Sequence, residues 1–130
     1  MAQYTMRVFR GDRSGGDFQN YVVEVDEGQV VLDVVHTVQA TQANDLAVRW
    51  NCKAGKCGSC SAEVDGHPRL MCMTRMALFE PGKTITIAPI KTFPIIKDLV
   101  TDVSFNFEVA KKIPAFKPRA PDADGIYRMQ

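Results

Sequence analysis

Residues 50–72 read WNCKAGKCGSCSAEVDGHPRLMC, and this stretch holds all four cysteines of the 130-residue chain. Cys52, Cys57, Cys60 and Cys72 are spaced C-x4-C-x2-C-x11-C. Residues 51–61 are too rich in Gly, Ser and Cys for regular structure and predict a loop. Beyond it, residues 61–64 read as a short strand, Asp65-Gly66 as a tight turn, and residues 69–71 as the returning strand that delivers Cys72. A loop thus presents three thiols and a short hairpin returns the fourth.

Outward from this stretch the pattern is a mixture of strands and helices. Residues 5–10 (TMRVFR) and 18–25 (FQNYVVEV) alternate as strands around the turn-forming GDRSGGD, which predicts a hairpin. Val31, Leu32, Val34, Val35 and Val38 recur at helical spacing and predict a helix over residues 30–43, although β-branched residues are weak helix formers. TITIA at 84–88, after the Pro81-Gly82 turn, reads as a further strand, and Pro89 and Pro94 interrupt the segment beyond it. Val100, Val103, Phe107, Ala110 and Ile113 predict a second helix over residues 99–112. The remainder, KIPAFKPRAPDADG, is held extended by Pro114, Pro118 and Pro121. The fold class expected is α+β, a small mixed sheet with a helix packed across it. One domain over 1–113 and a proline-rich linker or tail over 114–130 fit the length.

Composition excludes several functions. At 45% hydrophobic and 24% charged residues the chain is ordinary for a globular protein, and no apolar run is long enough to cross a bilayer. The start, MAQYTMRVFR, lacks the features of a secretory signal or transit peptide, which predicts a reducing compartment. A formal net charge of +1 argues against general attraction to nucleic acid or anionic membranes. The charge is unevenly spread, however. Residues 1–48 carry three basic against seven acidic side chains, whereas 49–76 carry Arg49, Lys53, Lys56, Arg69 and Arg75 against Glu63 and Asp65.

The thiol spacing begins as in plant-type ferredoxins, where cysteine thiolates hold a [2Fe-2S] cluster. Wrapping two irons closely requires a backbone that approaches without a Cβ in the way, which suits Gly55 and Gly58, and lets amide N–H groups point at the sulfurs. Four thiolates, two sulfides and two ferric ions carry a formal charge of −2, and one added electron makes it −3, so the basic neighbourhood favours reduction. Taken singly, each of those lysines and arginines reads as a solvated loop charge. Disulfides fit an even cysteine count but not this context. Zinc sites more typically show two C-x2-C pairs, so zinc remains the alternative metal. A Rieske centre would replace two of the cysteines by histidine. His36 and His67 read as ordinary surface or partly buried imidazoles and Trp50 as a packing residue shielding the loop. No catalytic residue stands out, and the chain shows no substrate chemistry of its own.

The same stretch resembles the N-terminal cluster motif of the iron-sulfur subunits of succinate dehydrogenases and fumarate reductases. The short x11 return to the fourth cysteine carries the likeness, together with VLDVV, APIKTFPIIKDLVTDVSF and GIYRM, and it covers nearly the whole chain. The resemblance implies a β-grasp, ferredoxin-like domain with a [2Fe-2S] cluster on Cys52, Cys57, Cys60 and Cys72. It also implies an oxidoreductase electron-transfer role, with electrons exchanged with the FAD of a separate flavoprotein subunit. In the family they pass on through [4Fe-4S] and [3Fe-4S] clusters of a second, helical domain to quinone at a membrane anchor. The implied location is peripheral, on the cytoplasmic side of the inner or plasma membrane.

This sequence departs from that pattern in having no cysteine after Cys72, so the second domain and its clusters lie outside it. The expectation is a domain cut from a longer subunit. Two other readings stand beside it, a free-standing soluble ferredoxin and a zinc-stabilised interaction module.

Overall fold

Tyr4, Met6 and Val8 alternate into the core along β1 (Ala2–Asp12), and Tyr21, Val23 and Val25 do the same along β2 (Gly15–Val25). The computed structural model describes residues 1–128; Met129 and Gln130, the end of the GIYRM stretch and of the expected tail, lie outside the described residues. β1 and β2 pair antiparallel from Ala2↔Val25 to Asp12↔Gly15, so the strands run further into the glycine-rich connection than expected and leave only Arg13 and Ser14 as the turn.

The sheet grows from β1. β5 (Thr84–Ala88) lies parallel to it, β3 (Ser61–Val64) pairs antiparallel with β5, and β4 (His67–Leu70) closes that side. At the far end of β1, Asp12 pairs with Lys97 of β6 (Ile95–Lys97), which pairs in turn with β7 (Val100–Thr101). Ile85 and Ile87 of β5 are wholly buried, each contributing about 2 kcal/mol through apolar burial.

Across this sheet packs α1 (Val31–Thr41), close to its expected bounds, with Val31, Leu32, Val34, Val35 and Val38 buried. Helical spacing of five core residues overrides the poor propensity of its valines. Its start is held from two sides. The Val30 N–H donates to Asp33 Oδ2 at 3.0 Å, and the Val31 N–H donates to the Thr74 carbonyl at 2.8 Å. The second bond ties the helix to the chain just past Cys72. The result is the expected α+β, β-grasp arrangement.

Two expectations are corrected. The second helix does not cover 99–112: Leu99 is buried, Val100 and Thr101 form β7, and α2 spans only Ser104–Lys111 with no buried side chain. Asp98 at φ 50° turns the chain from β6 into β7, and Asp102 Oδ1 accepts the Ser104 N–H at 3.0 Å where the helix begins. The return strand expected at 69–71 is β4, four residues long, and Met71 and Cys72 fall instead in a 3-10 turn (Met71–Met73).

Candidate metal centre

The four cysteines are all free, and their exposure is graded: Cys60 and Cys72 are buried, Cys52 is half-buried and Cys57 is exposed. The loop carrying the first three leaves the core at Leu46. Its entry is anchored by the Ala47 N–H on Asp98 Oδ2 at 2.9 Å and by Arg49 Nη1 on the Thr101 carbonyl at 3.0 Å. After Cys52 the backbone turns left-handed at Lys53 (φ 55°), Gly55 (φ 70°) and Gly58 (φ 75°). At the two glycines this conformation is free of the Cβ penalty; at Lys53 it is not.

These turns aim amides inward. The Ala54 and Lys56 N–H groups donate to Cys52 Sγ at 3.3 and 3.2 Å, as expected for a loop that stabilises negative sulfur. The loop closes with the Ser61 N–H and hydroxyl on the Gly58 carbonyl at 3.2 and 2.7 Å. The hairpin then returns at Asp65 (φ 49°) and Gly66 (φ 80°), the two positive φ values of a type I′ turn. Asp65 Oδ1 also accepts the Thr86 N–H at 2.8 Å, which fixes the tip to β5. Cys72 arrives beside Cys60, its N–H donating to Cys60 Sγ at 3.4 Å.

The sulfurs therefore gather as pairs. Cys57 lies by Ser59, whose Oγ is 3.0 Å from its Sγ, and by Cys52; hydrogen bonding from Ser59 and from Cys52 brings the Cys57 thiol down to about 6. Burial pushes the Cys60 thiol up, and the neighbouring Cys72 side chain adds to the rise. Among the described residues, no three Cys, His, Asp or Glu side chains converge on a point that holds a single metal ion. Two pairs of thiols, with main-chain N–H donors on the Cys52 and Cys60 sulfurs, are a donor set that fits a two-iron centre.

One neighbour differs from expectation. Trp50 is 46% exposed and shields little; its ring lies 5.0 Å from that of His36 and 4.6 Å from Lys53 Nζ. His36 is a partly buried imidazole, as expected; its Nε2 is buried without a hydrogen-bond partner, and desolvation with the Lys53 charge holds its pKa below the usual range. His67 is exposed at the hairpin tip. Sequence reasoning missed Ser59, though a hydroxyl between two thiols was a usable signal. Asp98 left no signal, because its partners are remote. Beside Cys57 a cavity of about 650 Å3 opens, with Ile90, Phe93 and Phe107 in its wall.

With this geometry established, similarity to known proteins is specific. A family profile described as 2Fe-2S iron-sulfur cluster binding domain matches residues 5–108. The fumarate reductase iron-sulfur subunit of Mycobacterium tuberculosis is 35% identical over 121 residues, covering 88% of this chain and 47% of that protein. Iron-sulfur subunit 3 of mitochondrial succinate dehydrogenase [ubiquinone] from Arabidopsis thaliana is 34% identical over 109 residues, covering 82% of this chain and 35% of that protein. A solved chain from the Mycobacterium smegmatis Sdh1 complex in the apo form superposes with a TM-score of 0.92 at 59% identity, covering 99% of this chain and 54% of that one. The chain thus spans about half the length of the relatives it matches, or less.

Proposed function

Because the chain belongs to the family of 2Fe-2S iron-sulfur cluster binding domains, we propose that it relays electrons singly through a cluster held by Cys52, Cys57, Cys60 and Cys72. The observation that carries the ligand assignment is the pairing of four free thiols under main-chain N–H donors, Ala54 and Lys56 on Cys52 and Cys72 on Cys60. A [2Fe-2S] cluster bound there supplies a site that takes up and releases one electron at a time. The protein's part is to keep the four thiols ionised and oriented, to place dipoles on the sulfurs, and to bury the Cys60 and Cys72 side from water.

The exposed Cys57 edge is the approach for a partner. On it we place the FAD-containing flavoprotein subunit of a succinate dehydrogenase or fumarate reductase, with the apolar wall of the adjoining cavity as part of the contact. The role is that of an electron-transfer subunit, with succinate or fumarate bound elsewhere. The names of the relatives support this assignment. Residues 1–113 form the cluster domain, and 114–130 lead toward a second domain with [4Fe-4S] and [3Fe-4S] clusters. That domain would meet membrane anchor subunits and quinone on the cytoplasmic side. Among the described residues no helix is long and apolar enough to cross a membrane, so attachment through partners is the arrangement we propose.

The test is anaerobic purification with iron and acid-labile sulfide analysis, then reduction followed by electron paramagnetic resonance. Two irons and two sulfides per chain, and an S = 1/2 signal on adding one electron, are the expected results. Stoichiometric zinc without sulfide would overturn the proposal. Mixing with the cognate flavoprotein and succinate should then reduce the centre; failure of that step alone would point to a free-standing ferredoxin.

A further inference from the structure

Lys53 is one of three non-glycine residues with positive φ among the described residues, and it directly follows Cys52. Left-handed backbone brings the Cβ of a non-glycine residue against its own carbonyl and so strains it. A lysine there therefore needs a compensating contact. Its Nζ lies 4.6 Å from the centre of the Trp50 ring, within reach of a cation–π attraction. The Trp50 ring in turn lies 5.0 Å from that of His36, tilted by 60°. His36 sits on α1, whose Val34, Val35 and Val38 are locked in the core, so the helix sets where the indole stands. The unpartnered, buried Nε2 of His36 shows that ring packing, with no hydrogen bond at that atom, holds the imidazole here.

The turn at Lys53 has a second consequence. It is what folds the following amides, those of Ala54 and Lys56, back onto Cys52 Sγ. We propose that Trp50 is a positioning residue for the redox centre. Braced by His36, it holds Lys53 in its left-handed turn, fixing the Lys53 ammonium over the indole and the Ala54 and Lys56 N–H groups on the Cys52 sulfur. This rests on the reading of the four cysteines as cluster ligands. A fixed cation and fixed N–H dipoles favour the more negative, reduced state, so releasing them lowers the reduction potential. An exposed lysine that merely passes near a ring would contribute its charge with or without Trp50.

The full chain tests this by redox titration, read by electron paramagnetic resonance, on Trp50→Leu, Trp50→Phe, Lys53→Gln and the double variant Trp50→Leu/Lys53→Gln. The expected result is a downward shift for Trp50→Leu and for Lys53→Gln, a double variant that shifts by less than their sum, and near-native behaviour for Trp50→Phe. A Trp50→Leu protein with the native potential, or full additivity, overturns the proposal. Should Trp50→Leu fail to load iron, a Trp50→Phe potential nearer native than that of Lys53→Gln supports it and the reverse order overturns it.

Trp50 is also the only tryptophan, so its fluorescence reads the same contact in metal-free protein. Lys53→Gln and His36→Asn should each raise its quenching by acrylamide; unchanged quenching in both overturns the brace. Absence of iron and sulfide from the native protein would instead defeat the cluster reading, and the fluorescence result would still decide the His36–Trp50–Lys53 contact.

Discussion

The Asp98 carboxylate accepts the Ala47 N–H at 2.9 Å, joining two residues 51 positions apart. Its other oxygen accepts the Gly11 N–H at 2.9 Å and lies 3.2 Å from Arg10 Nε, an ion pair whose buried Nε–H is not aligned for a hydrogen bond. One buried side chain thus holds the end of β1, the entry to the cysteine loop and the β6–β7 turn. Asp98→Ala removes both acceptors and leaves the Arg10 charge short of a partner. A loss of about 3 kcal/mol is expected, seen as a fall in Tm on the order of 10 °C. Asp98→Asn keeps the shape and one strong acceptor and should lose less; equal losses would show that the charge of the carboxylate, not its shape, sets the role.

The graded thiols predict an order of chemical modification in the metal-free chain. Cys57, exposed and brought down to about 6, is mostly thiolate at pH 7, about ten to one over thiol. Cys60, buried and pushed up, is thiol at that pH. Brief treatment with iodoacetamide at pH 7 should label Cys57 first and spare Cys60, and the Cys57 rate should fall by half near pH 6. Stability carries the matching sign: a thiol lowered by folding stabilises fully above its ordinary value of 9.0, and that contribution is lost as pH falls through about 6. Peptide mapping that finds Cys60 labelled first would contradict the geometry.

Gly55 and Gly58 separate backbone strain from crowding. Both have positive φ, but a Cβ on Gly58 meets nothing within 4 Å, whereas one on Gly55 comes to 3.0 Å from Met73 Cγ. Gly58→Ala should cost about 1 kcal/mol of loop strain alone and load somewhat less iron. Gly55→Ala adds a displaced methionine beside Cys72 and should load less still. Iron per chain after reconstitution checks the order native, Gly58→Ala, Gly55→Ala.

What was legible in the sequence was local. The cysteine spacing, the Asp65-Gly66 turn and the alternation of TITIA each depend on residues within a few positions, and each lies where expected. The helix α1 was legible despite its valines because five core residues share one face. Periodicity failed at residues 99–112, where β-branched Val100 and Thr101 belong to a strand and the apolar residues of α2 meet no core. At the site, the four thiols and the inward amides were legible. The surroundings were not: Asp98 acts through Ala47 and Gly11, and Trp50 through His36, all contacts made only by tertiary folding.

Removing iron should loosen one segment and leave the sheet standing. The core, from Met6 and Val8 of β1 through Val35 of α1 to Ile85 and Ile87 of β5, is wholly buried without help from the loop. Residues 51–59 lie outside it, and their inward hydrogen bonds run largely to cysteine sulfurs. With the metal gone, those sulfurs repel one another when ionised, and little else holds the turns at Lys53, Gly55 and Gly58. Hydrogen exchange should therefore accelerate over about residues 51–60 after chelation, while β1, β5 and α1 keep their protection. Cys72 should change less than Cys57, because the Thr74 carbonyl and the Met76 N–H tie its segment to the start of α1. Small metal-folded domains behave differently, losing all secondary structure on chelation. Far-UV circular dichroism that collapses with iron removal would place this chain among them and overturn the account of an independent core.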